Sequence, residues 1–266
     1  MKLSIITICY NNRQGLEKTL RSVCAQLTPE VEYIVIDGGS TDGSVDLIKQ
    51  YADHITYWVS EPDKGIYNAM NKGIAVAKGE YVNFMNSGDC FVSDDIIARV
   101  LPRLQGKDFY VGDEMHKKQI VKAPDQVLFT RLAHHPLSHQ STFIHTGLLK
   151  KRPYKESYKI ASDWEQMFYE LIVQDASYER LPFIVANFDM TGISSSKSTN
   201  QIQQEETNRV RKSLLPSRIY QFVEGYGDKH LLKVIYALGY EDPLKRDLKL
   251  LRNSLKMLFR DLFKRK

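Results

Sequence analysis

The chain has 266 residues, of which 42% are hydrophobic and 26% charged, the composition of a globular protein that can bury a sizeable core. No stretch approaches 18 uninterrupted apolar residues, which argues against a membrane-spanning helix. The net charge of +5 is uneven, because residues 243–266 carry nine Lys or Arg and two Asp, which leaves 28 basic and 30 acidic residues in the first 242. A near-neutral body argues against a general nucleic-acid-binding protein.

The first 90 residues alternate between strand and helix patterns. Residues 3–9 are apolar and β-branched on both faces, which predicts a central parallel strand rather than a signal peptide. Further strands are predicted at 32–36, 55–59 and 81–85, and helices around 16–23, at 44–53 and at 66–77. This order predicts an α/β fold with a parallel sheet and right-handed crossovers.

The pattern loosens after residue 105. Residues 191–200 have the composition of a loop or lid, and the chain from 201 onward has helical patterns. Short strands are predicted at 108–111, 127–129, 142–144 and 183–188, and helices at 148–151 and 163–173.

Polar clusters follow all four strands of the first part of the chain. They are Tyr10-Asn11, residues 37–42, residues 61–64 and residues 86–89. Ligands of parallel α/β sheets bind beyond the carboxyl ends of the strands, so the four clusters together predict one site. Each cluster alone is also compatible with an ordinary turn.

Carboxylates rather than glycine-rich loops mark this predicted site. The sequence lacks GxxxxGK[ST], and no GxGxxG follows the first strand, which argues against P-loop hydrolases and dinucleotide oxidoreductases. A carboxylate after a strand can accept a hydrogen bond from a nucleobase imide N–H or hold a divalent cation on a diphosphate.

Cysteine chemistry is a weaker alternative. The three cysteines Cys9, Cys24 and Cys90 are widely spaced and form no CxxC pair. This pattern indicates a reducing compartment with thiols in apolar surroundings, and a catalytic thiol stays open as the second interpretation.

Several motifs carry a resemblance to a known family. The stretches SIITICYNN, VIDGGSTDGS, SEPDKGIYNAMNKGIAVAKGEY and FMNSGD resemble the family 2 glycosyltransferases of the GT-A fold, densely over residues 3–95. A thinner match runs to about residue 195 through HHPLSHQSTF, ASDWE and TGISSS. The resemblance implies a Rossmann-like, mostly parallel sheet with flanking helices. It divides the chain into a nucleotide-sugar-binding part (1–105), an acceptor-binding part (106–200) and a C-terminal helical extension (201–266).

The donor-side residues follow from the resemblance position by position. Asp37 would accept the uracil N3–H, although an Asx bond that only caps the turn is an alternative. Asp63 and Lys64 would border the ribose and the diphosphate. The complete predicted donor set is Thr7, Tyr10, Asn11, Asp37, Asp63, Lys64, Asn71 and Ser87.

The resemblance also assigns the reaction chemistry. Asp89 would be the carboxylate that holds Mg²⁺ or Mn²⁺, and Asp163 would be the catalytic base. Glu165 is an alternative base, and Asp163 or Ser162 could instead cap the helix that begins there. His134, His135 and His139 could form a metal cluster, but lining of the acceptor cleft is favoured. The acceptor-side candidates are His139, Gln140, Trp164 and Glu165.

Two positions depart from the family pattern. Many relatives have two carboxylates after the fourth strand, where this chain has Gly88-Asp89, so Asp89 would share the metal with diphosphate oxygens and water. Met70 stands where relatives often have an arginine, and Lys64 or Lys72 would then supply the positive charge.

These observations predict an inverting glycosyltransferase that uses a UDP-sugar, with a GDP-sugar second. Its expected acceptor is a glycan hydroxyl, lipid-linked, in capsule, O-antigen or exopolysaccharide synthesis. The alternative is a catalytically impaired protein of the same fold that only binds nucleotide sugars or acts as a scaffold.

The sequence pattern of the C-terminal tail, residues 243–266, indicates where in the cell the protein works. In residues 243–266 leucines recur every three or four positions while basic residues lie largely off that stripe. Such a basic amphipathic helix favours an anionic membrane surface, and docking on a second copy in a homodimer is the alternative. The expected location is cytoplasmic, peripheral to the inner face of the plasma membrane, with no nucleic-acid partner.

Overall fold

A sheet of nine strands forms the centre of the chain, which we describe from a computed structural model. The structure describes residues 1–133, 135–190, 192, 199–217 and 220. One compact unit comprises residues 1–127 and 136–210, and a second contains 128–135 and the described residues after 210. The helix predicted at 243–266 and most of the predicted lid lie outside the described residues.

The first four strands lie parallel in the order β3-β2-β1-β4, as the strand and helix pattern predicts. The strands of this half are β1 (Leu3–Cys9), β2 (Val31–Asp37), β3 (Tyr57–Ser60) and β4 (Tyr81–Phe84), and its helices are α1 (Arg13–Cys24), α2 (Ser44–Gln50) and α3 (Ile66–Val76).

The remaining strands continue the sheet as β4-β8-β6-β9-β5, with β7 beside β6. Here β8 runs antiparallel to both β4 and β6, while β9 runs parallel to β6. One sheet therefore includes strands from both of the first two predicted parts of the chain. The strands are β5 (Cys90–Phe91), β6 (Phe109–His116), β7 (Gln119–Val121), β8 (Thr142–His145) and β9 (Tyr178–Phe188), and the helices are α4 (Ile96–Val100), α5 (Phe129–Leu132), α6 (Thr146–Lys151), α7 (Ser162–Phe168) and α8 (Asn200–Leu214).

Apolar packing on both faces fixes the parallel half. β2 is buried along its whole length, and α1 buries Leu16, Leu20 and Val23 at helical spacing. Burial of one such side chain stabilises the fold by about 1.5–3 kcal/mol. Gly73 of α3 lies against β1 so closely that a Cβ there would be 2.6 Å from Ile6 Cγ2. The helix can approach the sheet at this point only because residue 73 has no side chain.

Three short elements and one strand differ from the sequence prediction. The strand predicted at 127–129 is wrong, because α5 begins at Phe129 and residues 127–128 are irregular. A three-residue apolar run is too short for its period to separate strand from helix. The pattern also missed β5, β7 and α4, which have two, three and five residues.

Candidate active site

The four polar strand ends meet at one edge of the sheet. Asn11 N donates to Ser40 Oγ at 2.8 Å, and Asn11 Oδ1 accepts from Thr41 N at 2.9 Å. Asn12 Nδ2 donates to the Ser87 carbonyl at 3.1 Å. A Cβ on Gly38 would be 3.1 Å from both Asp63 Oδ2 and Tyr10 Cδ2. The ends of β1, β2, β3 and β4 therefore build a single continuous surface.

Asp37 has one oxygen in a turn and one without a partner. Its Oδ2 accepts from Gly39 N at 3.1 Å, Ser40 N at 2.8 Å and Ser60 Oγ at 2.6 Å, which is the Asx-type turn bonding considered from the sequence. Its Oδ1 is buried and has no hydrogen-bond partner among the residues that the structure describes. A buried carboxylate oxygen without a donor is unfavourable, so Oδ1 suits a ligand N–H.

Lys72 is the cation that the structure places beside Asp63. Lys72 Nζ lies 2.5 Å from Asp63 Oδ1 and 2.7 Å from Glu61 Oε1. The Lys64 residue is exposed, with its backbone N–H on Asn68 Oδ1 at 3.2 Å. Met70 is 1% exposed and packs in the core. Residue 70, where relatives often have an arginine, is therefore a core position in this chain. Lys72 provides a positive charge at this edge of the sheet.

The other residues predicted to bind the nucleotide sugar differ in how exposed they are at this edge of the sheet. Tyr10 is 68% exposed, whereas Thr7 is fully buried and its hydroxyl donates to the Met85 carbonyl at 2.7 Å. Ser87 accepts from Asn12 through its carbonyl. Asn71 exchanges two hydrogen bonds with the backbone of Tyr154, at 2.8 and 3.0 Å. The structure thus gives Thr7 and Asn71 supporting positions, while Tyr10 and Ser87 reach the surface.

Asp163 lies in the first turn of α7 and has a partner on each carboxylate oxygen. Tyr67 Oη donates to Oδ1 at 2.8 Å, and His139 Nδ1 lies 3.1 Å from Oδ2. Neither Asp163 nor Ser162 caps the helix, since the N-cap is Ala161 and it makes no side-chain cap bond. The carboxylate is therefore held by α3 and by the segment before β8.

His139 connects Asp163 to the end of β4. Its Nε2 lies 3.0 Å from Asn86 Nδ2, while Asn86 Oδ1 is buried and has no hydrogen-bond partner within the described part of the chain. An imidazole that donates from both nitrogens needs an acceptor at Nε2. A 180° flip of the Asn86 side-chain amide places Oδ1 at that position. Asn86, His139 and Asp163 then form one hydrogen-bonded row.

The charges in this row are set by its neighbours. Burial on its own would raise the pKa of Asp163, but the hydrogen bond and charge of His139 and the hydrogen bond of Tyr67 outweigh it and lower that pKa. Burial would likewise lower the pKa of His139, but the carboxylates of Asp163 and Asp89 outweigh it and raise that pKa. Asp163 is thus kept ionised beside an imidazole that favours its charged form.

Glu165 and Trp164, the other candidates on α7, are held inside the structure. Glu165 is 1% exposed, and its Oε1 lies 2.5 Å from Arg152 Nη2 and 2.7 Å from Lys155 Nζ. Trp164 is 5% exposed and packs edge-to-face against Phe168. Of the two α7 carboxylates, Asp163 contacts His139, whereas Glu165 forms ion pairs with Arg152 and Lys155.

Asp89 directly precedes β5 and lies deep at the junction of β5 and β9. It is 4% exposed, and its Oδ1 accepts from Asp189 N at 2.7 Å. Burial raises the pKa of Asp89 to about 6, against the opposing effect of the Asp189 N–H and of His139. Gln140 is 3% exposed in the same region, where it accepts from Ser138 Oγ at 3.0 Å.

Mg²⁺ and Mn²⁺ prefer carboxylate oxygens as ligands, so the surroundings of Asp89 fit such an ion. A Cβ on Gly88 would come within 2.4 Å of Asp189 Oδ2, so a second carboxylate lies beside Asp89. Among the described residues no group of three or more His, Cys, Asp or Glu is arranged to hold a metal. Any cation here needs further oxygens from a ligand or water. His134 lies outside the described residues.

The cysteines do not have the properties of a nucleophile. Burial raises the pKa of Cys9, and it raises the pKa of Cys24 to about 11. Cys90 is 8% exposed. A raised pKa keeps a thiol protonated and makes it a poor nucleophile, so Cys9 and Cys24 lack the activation of a catalytic thiol.

Four residues at this edge were not among the predicted site residues: Tyr67, Lys72, Asn86 and Asp189. Lys72 was considered only as a replacement for the missing arginine. Asn86 stands in the same strand-end cluster as Asp89, a signal that could have identified it. Tyr67 and Asp189 are 96 and 100 residues from the partners that place them, and only the fold brings them there.

Comparison with known proteins agrees with this architecture. The model of the family described as glycosyl transferase family 2 matches residues 4–164. An uncharacterised glycosyltransferase of Mycobacterium tuberculosis is 32% identical over 213 residues, which cover 75% of this chain and 79% of the relative.

Solved structures share the fold at lower identity. S. aureus TarS 1–349 in complex with UDP-GlcNAc has a TM-score of 0.63 and 18% identity over 84% of this chain and 70% of its own, while the chain spans only 42% of a longer TarS chain. The mannosyltransferase PcManGT of Pyrobaculum calidifontis, in complex with GDP-Man and Mn²⁺, has a TM-score of 0.57 and 16% identity over 97% of this chain and 87% of its own.

The mostly parallel sheet with flanking helices has the GT-A fold. The chain belongs to glycosyl transferase family 2, and it is a glycosyltransferase. No helix among the described residues is long and apolar enough to cross a membrane.

Proposed function

We propose that the chain transfers a sugar from a nucleotide sugar to a glycan hydroxyl by a single displacement with inversion. The observation that carries this proposal is Asp163, an ionised carboxylate held by Tyr67 and His139 on the segment that borders the strand-end surface. A UDP-sugar is the favoured donor and a GDP-sugar the second. The UDP-GlcNAc of TarS and the GDP-Man of PcManGT are consistent with either.

Donor recognition begins at Asp37. Its unpartnered Oδ1 accepts the imide N–H of uracil, while Oδ2 keeps the turn in place. Guanine also presents N–H donors, which is why the GDP-sugar stays the second candidate. Asp63, Lys64 and Lys72 border the ribose and the diphosphate, and Tyr10 and Asn11 lie beside the nucleoside.

Asp163 acts as the general base of the reaction. An acceptor hydroxyl is a poor nucleophile at neutral pH, so a carboxylate must take its proton during attack. The acceptor oxygen forms a bond to the anomeric carbon, whose bond to the diphosphate oxygen breaks with its electron pair. The proton moves to Asp163, the diphosphate carries away the negative charge, and the anomeric configuration is inverted. No protein nucleophile is required.

Asp89 is the proposed ligand of Mg²⁺ or Mn²⁺, on the carboxylate oxygen that does not accept from Asp189. A divalent cation stabilises the charge that develops on the leaving diphosphate. The Asp89 carboxylate, diphosphate oxygens and water would give such an ion the oxygen ligands it prefers.

The acceptor is proposed to be a lipid-linked glycan of a bacterial surface polysaccharide. The basic amphipathic pattern of residues 243–266 supports a place at the cytoplasmic face of the plasma membrane, with a homodimer as the other use of that segment. A nucleotide-sugar-binding protein without turnover is the remaining alternative, since Gly88 and Met70 depart from the family pattern.

Substitution of Asp163 by Asn tests the proposed base. We expect transfer to fall by about 10² to 10⁴ because the amide cannot accept the proton. Affinity for the nucleoside diphosphate, measured by calorimetry, should not change, since the base acts on the acceptor. The matched variant is Glu165→Gln, which removes the neighbouring carboxylate of the same helix.

The outcomes of this experiment separate the alternatives. Loss of turnover in Asp163→Asn with donor affinity retained supports the proposed base. An active Asp163→Asn with a folded but inactive Glu165→Gln would move the base to residue 165. Wild-type protein that binds nucleotide sugar with Mn²⁺ but neither hydrolyses nor transfers it across a panel of donors and acceptors would favour the binding protein.

A further inference from the structure

The space beside Gly88 is filled by a carboxylate from a distant part of the chain. A Cβ on Gly88 would lie 2.4 Å from Asp189 Oδ2 and 3.2 Å from its Cγ. Gly88 has a φ of +108°, a conformation that favours glycine. The volume that a side chain at position 88 would occupy after β4 is therefore taken by the Asp189 side chain.

Asp189 is placed there by strand pairing rather than by chance contact. It directly follows β9, which pairs antiparallel with β5 through Cys90–Asn187 and Phe91–Ala186. The Asp189 N–H also donates to Asp89 Oδ1 at 2.7 Å. The two strand pairs and this hydrogen bond together hold residue 189 beside Gly88 and Asp89.

The Asp189 carboxylate matters because a divalent cation at Asp89 needs more than one negatively charged ligand. Asp89 is 4% exposed, and one of its oxygens already accepts a backbone N–H. One remaining oxygen is a weak anchor for a divalent cation, whose affinity rises with the number of carboxylate ligands. Lys18 is the nearby cation, with Nζ donating to the Gly88 carbonyl at 2.9 Å.

We infer that Asp189 is the second protein ligand of the divalent cation, supplying from the end of β9 the carboxylate that Gly88 lacks. The inference rests on the proposed metal-dependent transfer. Asp89 and Asp189 together provide two carboxylates, and the diphosphate and water provide the remaining oxygens. The reduced sequence motif after β4 therefore does not reduce the number of acidic ligands at this site.

Binding of Mn²⁺ tests the inference without an activity assay. Wild type, Asp189→Asn and the control Asp94→Asn, an exposed aspartate, are titrated with MnCl₂ in the presence of UDP and followed by electron paramagnetic resonance. We expect Asp189→Asn to weaken Mn²⁺ affinity roughly tenfold or more, because an amide oxygen cannot balance the ionic charge. Asp94→Asn should bind as wild type does.

The outcomes distinguish this inference from the function on which it rests. Equal Mn²⁺ affinity of Asp189→Asn and wild type, with Asp89→Asn impaired, would overturn the role of Asp189 and keep the proposed metal. A wild type that binds no Mn²⁺ with UDP would overturn the proposed metal and the inference together. Circular dichroism and metal-free UDP affinity of Asp189→Asn, expected to match wild type, exclude loss of the fold.

Discussion

At the residue scale, the proposed base is defined by its partners more than by its own identity. The sequence around Asp163 is compatible with a helix cap. In the structure its two carboxylate oxygens instead contact Tyr67 and His139. Against the effect of burial, the hydrogen bond and charge of His139 lower the pKa of Asp163, and the hydrogen bond also orients its carboxylate. His139 is therefore a positioning residue for Asp163.

Removal of the imidazole charge should change the pH dependence of transfer. Because His139 holds the pKa of Asp163 below its ordinary range, wild type stays active at pH values where a free aspartate would be partly protonated. In His139→Gln the pKa of Asp163 rises, so the acid limb of kcat should move to higher pH. The measurement is a pH–rate profile at saturating donor and acceptor.

A histidine far from Asp163 provides the control. His54 is exposed on the turn after α2, and His54→Gln should leave the acid limb where it is. An unchanged acid limb in His139→Gln would mean that the pKa of Asp163 does not depend on the imidazole.

The sequence could indicate Asp163, Asp37 and Asp89 but not the contacts that determine their roles. Asp37 and Asp89 stand at or just after the ends of strands whose own pattern is strong, so their position at the sheet edge follows from local structure, whereas Asp163 is indicated by the family resemblance. The partners Tyr67, Asn86 and Asp189 depend on which strands become neighbours. That order is a property of tertiary packing, which hydrophobic periodicity does not encode.

At the element scale, the end of the sheet opposite the site is closed by a buried acidic residue. Glu32 of β2 is 1% exposed, and its Oε1 accepts from Ser4 Oγ, Lys78 N and Gly79 N. The turn from α3 into β4 is thereby attached to β1 and β2. The parallel half depends on this one carboxylate for three hydrogen bonds.

Replacement of Glu32 should destabilise the protein without touching the site. We expect Glu32→Ala to lower the free energy of unfolding by about 3 kcal/mol, because buried donors lose their acceptor. Glu32→Gln, whose amide oxygen still accepts, should lose less. Urea unfolding followed by circular dichroism measures both, and Glu30→Ala in the exposed turn before the same strand should stay within about 0.5 kcal/mol of wild type. A Glu32→Ala protein as stable as wild type would contradict this role.

Element length explains which parts of the fold the sequence could predict. The seven-residue strands β1 and β2 and the twelve-residue helix α1 contain enough positions for their periods to be read. The two-residue β5 does not, and it forms because β9 offers it a partner. Short strands of this kind are consequences of pairing rather than of local sequence.

At the scale of the whole molecule, the tail should decide where the enzyme works. Deletion of residues 243–266 removes a surplus of seven positive charges and the leucine stripe. Since each basic residue near anionic lipid contributes about 1 kcal/mol, we expect binding to anionic vesicles and activity on a lipid-linked acceptor to fall. Activity on a soluble acceptor analogue should change little. Vesicle sedimentation of full-length and truncated protein measures the first effect.

Salt and lipid composition provide the controls for this experiment. Binding of the full-length protein should weaken at high ionic strength and on neutral vesicles, since the attraction is screened. Equal vesicle binding by both proteins at low salt, together with loss of a dimer on truncation, would assign the segment to a subunit contact instead.

The two halves of the sheet share a narrow boundary. Among the described residues the ladder between β4 and β8 contains two pairs, Tyr81–His145 and Val82–Ile144. Donor-side residues such as Asp37 precede this boundary, while Asp163 follows it, and the Asn86–His139 and Tyr67–Asp163 bonds cross it. A hybrid enzyme that joins this first half to the second half of a relative must keep those two bonds, and it must also reproduce the β5–β9 pairing and the Asn71–Tyr154 bonds. We expect such a hybrid to keep the nucleotide preference proposed for this chain and to take the acceptor of the relative.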